Sequence, residues 1–354
     1  MSEGAMNFFQ AQFRTSTSRM YNQHWEKWSK WCRDNGVKDP MRPRAAHIAG
    51  HLSYLAQTFN LSAATLRSRR AAIGSVLATR TNNSVASDPL ISGVLKGIAN
   101  SQHRTPRLVP EWDLAVVLDL LKSPKYENNK LLPHDLLTYK TAFLIALASG
   151  RRASEITNLS GLRGDVHLAP QRSLSLKFLP EFLAKNQVPG DPAPSILIPP
   201  LTKEQDQSKL DRALCPVRAL IEYRRRSDSY RSPSQRALFI SVKKNHAKDI
   251  TRATLSRWLK TLIRQAYLEL EGKGKLKPTT RIPTGKIRAH EIRAWAATMA
   301  STSSSISEVM KAAYWRSPTV FTRHYLRDIA MRSEDGTLRL PAMVAAQSCL
   351  PPRK

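Results

Sequence analysis

The chain has 354 residues and carries 56 Lys plus Arg against 27 Asp plus Glu, a formal net charge of +29. That length exceeds one ordinary hydrophobic core, so two domains are expected. A compact protein of this charge would repel itself unless it met a polyanion, and nucleic acid is therefore the expected partner.

The sequence does not predict a membrane protein or a secreted protein. We find no apolar run long enough to span a bilayer, and the start MSEGAMNFFQ lacks the charged and apolar regions of a signal peptide. Cys32, Cys215 and Cys349 are too scattered for a disulfide framework or a four-ligand zinc site. The expectation is a soluble protein of a reducing compartment, cytosol or nucleus.

Residues 1–100 predict a domain of short helices. Two segments carry apolar stripes at helical spacing, Tyr21, Trp25, Trp28 and Cys32 in the first and Ile48, Leu52, Leu55 and Phe59 in the second. A third helix is predicted to begin after Ser62, and Arg67, Arg69 and Arg70 crowd its first half. Three guanidinium groups suit contacts to DNA phosphates, and a solvated basic face fits the same pattern equally well.

Residues 101–109 predict an interdomain linker, because SQHRTPRLVP has two prolines and no apolar periodicity. Residues 110–354 form a second, larger domain. Its sequence predicts several helices, and RSLSLKFLPEFLAKNQ and SILIPPL predict two or three short strands. The expected fold class is mainly α with a small β-sheet.

The sequence contains no complete motif for metal binding, nucleotide hydrolysis or serine-hydrolase catalysis. HEIRA opens like a zinc-protease motif, but its second histidine position is Ala294. His47 and His51 are spaced for one metal ion, yet no third ligand is in view, and half-buried or exposed histidines fit better. No nucleotide-binding loop or serine-hydrolase elbow occurs. No cofactor or metal is expected.

Basic groups of the second domain offer a different chemistry. Arg152 follows the helix-ending Gly150, and Glu155 lies three residues on, where its carboxylate can brace the guanidinium. Lys185 falls at the tip or in the second half of a predicted hairpin. His290 and Arg293 share one helical face and can touch one phosphate together. Each signal alone fits an ordinary surface residue.

The segment WRSPTVFTRHYLRD then sets Tyr325 among arginines and a histidine, with Trp315 at its start. Together, ASGRRASEI, FLAKNQ, AHEIR and AAYWRSPTVFTRHYLRD resemble the catalytic domain of the tyrosine recombinases, the phage integrase family. CPVRAL and FTRHYLRD are similar to the eukaryotic branch found in DIRS-like retrotransposons and Crypton elements. The resemblance covers about the second two thirds of the chain.

The resemblance implies roles residue by residue. Arg152 matches the first catalytic arginine, Glu155 the acidic residue beside it, and Lys185 the hairpin lysine. His290 and Arg293 match the H-x-x-R pair, Trp315 the His-or-Trp position and Tyr325 the nucleophile. The helical domain matches the family's DNA-binding core-binding domain by position and size alone.

Three departures from the family pattern accompany these matches. Arg151 rivals Arg152, although only Arg152 has a glutamate three positions on, and Lys177 rivals Lys185. The interval from Trp315 to Tyr325 is one residue longer than usual. Tyr314 precedes the tryptophan and is discounted as the nucleophile.

The implied chemistry needs neither metal nor ATP. Arginines and a histidine neutralise the charge that develops on a phosphodiester, and nearby cations favour the phenolate of a tyrosine. Tyr325 would form a 3′-phosphotyrosyl bond while Lys185 protonates the departing 5′ hydroxyl. The resemblance further implies double-stranded recombination sites, a homotetramer, mobilisation or integration of a transposable element, and nuclear residence for a eukaryotic protein. An inactive DNA-binding derivative and a type IB topoisomerase-like enzyme are the alternatives.

Overall fold

A computed structural model of the chain describes residues 13, 15–81, 84–102, 112–168, 173–185, 187, 195–201, 212–241, 249–274, 287–301 and 304–312. The chain divides into two compact units, Met1–Pro106 and Arg107–Lys354. The predicted linker, 101–109, is mostly outside the described residues and stays a prediction. No helix in the described ranges is both long enough and apolar enough to cross a bilayer.

The first unit is helical where the structure describes it. Its helices are α1 (Thr15–Asp34), α2 (Ala45–Phe59), α3 (Ala63–Thr81) and α4 (Pro89–Ser101), with a 3₁₀ turn at Val85–Ser87. Helix α1 packs against α3, and α2 packs against α4. The core consists of apolar residues from all four helices: Trp28, Cys32, Ile48, Leu52, Leu55, Leu66, Ile73, Leu77, Ile91 and Leu95.

Local sequence signals set the helix ends of this unit. The hydroxyl of Ser62 accepts a hydrogen bond from the backbone N–H of Thr65 at 3.2 Å, which caps α3 as predicted. Asn60, with φ of 47°, ends α2 in the left-handed conformation. The buried face of α2 is shorter than predicted. Phe59, the last residue of the predicted apolar face, is 57% exposed, and its ring packs edge-on against the ring of Tyr54.

The second unit contains eight described helices. They are α5 (Leu114–Lys122), α6 (Pro124–Glu127), α7 (His134–Ser149), α8 (Ala153–Ile156), α9 (Pro216–Ser227), α10 (Arg252–Gly272), α11 (Glu291–Ser301) and α12 (Ile306–Ala312). Helix α7 is central, since α9, α10 and α11 all pack against it. It is buried along most of its length, which agrees with its nearly unbroken apolar run TAFLIALA.

The sheet has three short antiparallel strands in the order β1 (Val166–Leu168), β2 (Leu174–Leu176) and β3 (Ile196–Ile198). Leu174 pairs with Leu168 on one side and with Ile198 on the other. The mainly helical α+β fold class is thus confirmed. The sequence did not predict β1, because a three-residue edge strand with two exposed side chains gives almost no alternation to detect.

Candidate active site

Arg152 stands in the turn between α7 and α8. Helix α7 ends at Gly150, whose φ of 57° is a left-handed conformation that suits glycine. Arg152 is the N-cap residue of α8, and its Nη1 donates a hydrogen bond to Glu155 Oε1 at 2.8 Å. The backbone N–H of Arg152 also donates to Glu155 Oε2 at 3.2 Å. The carboxylate therefore fixes both the backbone and the guanidinium of Arg152.

Two arginines share the Glu155 carboxylate. Arg151 Nη1 lies 4.0 Å from Glu155 Oε2, and the Arg151 side chain is 4% exposed against 19% for Arg152. The Glu155 side chain is itself 1% exposed. Arg152 is thus the more accessible of the two guanidinium groups, and its selection over Arg151 as the catalytic arginine stays a prediction.

Arg293 reaches the same turn from helix α11. Its side chain is buried, and Nη1 donates to the carbonyl oxygen of Gly150 at 2.6 Å. Gly150 is two residues before Arg152, so the structure brings two of the predicted catalytic arginines to one turn although they are far apart in sequence.

His290 is exposed in the turn that leads into α11. The next residue, Glu291, is 4% exposed, and its Oε2 accepts hydrogen bonds from the backbone N–H of Arg288 at 3.1 Å and from Trp112 Nε1 at 3.0 Å. A carboxylate at the first turn of a helix also interacts favourably with the helix dipole. Glu291 therefore anchors the start of the helix that carries Arg293.

Lys185 lies in the connection between β2 and β3, in agreement with the predicted hairpin position, and its side chain is exposed. The turn around it is closed by Gln187, whose backbone N–H and side-chain oxygen both bond Ala184. Lys177, the rival lysine, sits 3.7 Å from Asp165 in an exposed ion pair. The convergence of Lys185 with Arg152 and Arg293 stays a prediction.

Trp315 and Tyr325 lie outside the described residues. The same holds for the competing Tyr314. Their predicted roles, and the convergence of the basic groups upon a tyrosine, remain predictions.

The three arginines of α3 have different surroundings. Arg67 is exposed, while Arg70 Nη1 bonds the hydroxyl of Ser92 at 3.2 Å. Arg69 is half-buried, and burial lowers its pKa. Its Nε and Nη1 atoms are buried with no hydrogen-bond partner among the described residues. A solvated basic face therefore describes Arg67 but not Arg69.

Of the two histidines at metal-ligand spacing, His47 is half-buried as expected, whereas His51 is only 2% exposed and so differs from the expectation of an exposed or half-buried side chain. Both ring nitrogens of His47 lie within hydrogen-bond distance of Arg44. His51 is buried against the rings of Trp28 and Trp31, and burial, followed by the charge of Arg69, lowers its pKa to about 4. Within the part of the chain that the structure describes, no group of three potential metal ligands occurs.

Comparison with known proteins gives a match at the level of structure. No protein-family model and no curated protein sequence matches the chain. A lambda integrase(75–356) dimer bound to a COC′ core site matches with a TM-score of 0.51 and 13% identity, over 96% of this chain and 99% of that one. A lambda integrase tetramer bound to a Holliday junction matches with a TM-score of 0.50 and 15% identity, over 94% and 78% of the two chains. The chain has the tyrosine recombinase fold.

This recombinase fold accounts for the whole pattern of a helical unit followed by a helical unit with a small sheet. At such low identity the likeness concerns the fold. Residue roles depend on the local geometry of this chain, which joins Arg152, Glu155, Gly150 and Arg293.

Sequence reasoning missed two residues of the site, Glu291 and Trp112. Glu291 falls in HEIRA, where the resemblance to a zinc-protease motif obscures a different signal, since a carboxylate at the first turn of a helix is a capping residue. Trp112 had no signal, because its partner is 179 positions away.

Proposed function

We propose that the chain is a DNA recombinase that cleaves and rejoins strands through a covalent bond between Tyr325 and a 3′ phosphate. The observation that supports this best is that the Arg293 side chain bonds the carbonyl of Gly150, two residues before Arg152, which is itself braced by Glu155. In a recombinase-type fold, two guanidinium groups near one turn are suited to bind the two non-bridging oxygens that share the single negative charge of a phosphodiester.

The braced arginine is the physical reason for proposing a reaction that needs no metal. A guanidinium has five N–H donors, and Arg152 bonds Glu155 through Nη1 while its side chain keeps 19% of its exposure. It can therefore bind Glu155 and an anion at once. Charge-assisted hydrogen bonds of this type become stronger in a site that excludes water, where they offset the charge developing in the transition state.

Proton transfer is assigned to His290 and Lys185. Both side chains are exposed, and both stand on turns whose backbones are held by hydrogen bonds, at Arg288 to Glu291 and at Ala184 to Gln187. Lys185 would protonate the departing 5′ hydroxyl, and His290 would assist proton movement in either direction. The exposed pair of Lys177 with Asp165 favours Lys185 for this role.

DNA binding is assigned to both units. The net charge of +29 attracts a polyanion, and Arg67 presents an exposed guanidinium on α3. The related lambda integrase structures contain a dimer on a core site and a tetramer on a Holliday junction. We extend these assemblies to this chain as a homotetramer on two DNA duplexes that serves a transposable element. It would act in the nucleus of a eukaryotic cell, or in the cytoplasm of a cell without a nucleus.

A suicide DNA substrate tests the proposal. A nick near the cleavage site lets the 5′-hydroxyl fragment diffuse away, so the covalent complex accumulates and is seen on a denaturing gel. Wild-type protein should form the complex at its own site in the presence of EDTA, and Tyr325→Phe should bind the same DNA without forming it. A protein that binds but gives no complex is a DNA-binding derivative, and one that relaxes supercoils with little site preference is a topoisomerase.

A further inference from the structure

The exposed His290 stands in a turn that is closed from both sides by Glu291. The backbone N–H of Glu291 donates to the carbonyl of Arg288 at 3.0 Å, and the backbone N–H of Arg288 donates to Glu291 Oε2 at 3.1 Å. Two residues in reciprocal contact thus fix the backbone on either side of the histidine. The turn therefore sets where the His290 side chain leaves the backbone.

The Glu291 carboxylate is in turn held by Trp112. Its Oε2 accepts the indole N–H at 3.0 Å, and Trp112 and Glu291 are 1% and 4% exposed. The Trp112 ring lies 6.0 Å from the ring of Trp295 on α11 and 6.4 Å from that of Phe143 on α7. Trp112 therefore contacts the helix that carries Arg293 and the helix whose end carries the Arg152 turn.

If the Glu291 position served packing alone, a buried carboxylate would be an unfavourable residue for it. Burial of an ionised group costs several kcal/mol unless hydrogen bonds offset it, and apolar residues of the same volume often fill such places with equal stability. What the carboxylate adds is direction and strength, because one charged oxygen accepts both a backbone N–H and an indole N–H, and hydrogen bonds to a charged acceptor are stronger than those to a neutral amide oxygen.

We propose that Glu291 and Trp112 are positioning residues that hold the backbone of His290, three residues before the Arg293 whose side chain bonds Gly150. The proposal rests on the recombinase function proposed above and extends it to two residues that would not contact DNA. Glu291 acts through the His290 turn, and Trp112 acts through Glu291. Misplacement of a reacting group by about 1 Å can cost up to about 100-fold in rate.

Three variants separate positioning from stability. Glu291→Gln keeps the shape of the side chain and one acceptor oxygen but removes the charge. Trp112→Phe keeps an aromatic ring and removes the indole donor. Tyr126→Phe is the control, because it removes a partly buried hydrogen bond that a fully buried side chain of the same unit makes, from the Tyr126 hydroxyl to Gln265 at 3.2 Å.

Covalent-complex formation at saturating DNA is the first readout. Glu291→Gln and Trp112→Phe should each slow it by about 10-fold or more with unchanged DNA affinity, whereas Tyr126→Phe should keep the wild-type rate. In a His290→Ala background, Glu291→Gln should cause less than about a twofold further loss, because its effect passes through the histidine. An equal loss with and without His290, or no loss beyond that of Tyr126→Phe, would overturn the positioning role.

The His290 NMR signal, in full-length protein carrying labelled histidine, gives a second readout that needs no activity. The imidazole resonance of His290 should shift in Glu291→Gln and Trp112→Phe and stay in place in Tyr126→Phe. An unchanged resonance in both variants overturns the positioning proposal alone. Absence of a covalent complex from the wild type overturns the recombinase proposal alone, and the resonance still decides the role of Glu291.

Discussion

Replacement of Glu155 by glutamine should destabilise the second unit and disable the Arg152 turn. The wild-type carboxylate is 1% exposed and lies 2.8 Å from Arg152 and 4.0 Å from Arg151, whose side chain is 4% exposed. Glutamine preserves the volume and one acceptor oxygen but removes the negative charge. The largely buried Arg151 then keeps its charge beside a neutral partner.

The expected magnitude follows from the burial of these groups. Removal of one member of a buried ion pair costs about 3–5 kcal/mol, and the remaining acceptor oxygen places Glu155→Gln near the lower end, at about 3 kcal/mol. For a unit of this size that corresponds to a fall in Tm of about 6–12 °C. The backbone N–H of Arg152 also loses a charged acceptor, so the turn that presents Arg152 loosens.

Thermal unfolding of the full chain measures this effect. The control is Arg236→Gln, which removes a pair of similar length, 3.0 Å to Glu181, whose side chains are 44% and 57% exposed. Such a surface pair contributes at most about 1 kcal/mol. A Tm loss for Glu155→Gln no greater than that for Arg236→Gln would refute the assignment of Glu155 as the shared brace of two arginines.

Four further outcomes are expected. His51 has a folded-state pKa of about 4, below its unfolded value of 6.5, so its contribution to stability should be complete above pH 6.5. As the pH falls towards 4, the free energy of unfolding should drop by up to about 3 kcal/mol. Unfolding in urea between pH 7.5 and pH 4 should show this dependence, and His51→Leu should weaken it. Arg152→Ala should slow covalent-complex formation by about 100-fold or more with little change in DNA affinity, and an equal loss of affinity would instead make it a binding residue. Lys185→Ala should slow cleavage where Lys177→Ala does not, and a 5′-thiol leaving group, which needs no protonation, should restore the Lys185→Ala rate. DNA affinity should fall steeply with salt concentration, and Arg67→Gln should reduce that log–log slope by about one.

Helices, their ends and the fold class could be predicted from sequence because they depend on local chemistry. The Trp28 and Cys32 stripe is buried, Ser62 caps α3, and Gly150 ends α7 in the left-handed conformation. The pair of Arg152 with Glu155 follows from their spacing of three residues. These features involve neighbours within one or two turns.

Long-range contacts could not be predicted in this way. The bond from Arg293 to the Gly150 carbonyl spans 143 positions, and the bond from Trp112 to Glu291 spans 179. Neither leaves a local pattern. The meeting of Arg152 and Arg293 at one turn was inferred from a family resemblance, and its actual form, a buried arginine bound to a backbone carbonyl, was not foreseen.

Not all of the basic side chains are available to bind DNA, because several of them form hydrogen bonds inside the protein. Arg226 donates to the carbonyls of Leu132 and Asn129 at 2.6 and 2.7 Å, and Arg231 donates to that of Leu238 at 2.8 Å. Lys140 is fully buried, and its Nζ donates to the Tyr126 carbonyl at 2.6 Å, while burial lowers its pKa to about 7. These cations hold the fold together, so residue counts overstate the charge available to DNA.

Mass spectrometry of the trapped complex tests the central claim most directly. Wild-type protein is allowed to react with a suicide substrate in EDTA, the complex is digested with protease and nuclease, and the peptide that retains a nucleotide is sequenced. We expect a 3′-phosphate linked to Tyr325, and no such peptide from Tyr325→Phe. A nucleotide linked to any other residue, or a wild-type protein that binds its site and never becomes linked to it, would contradict the account.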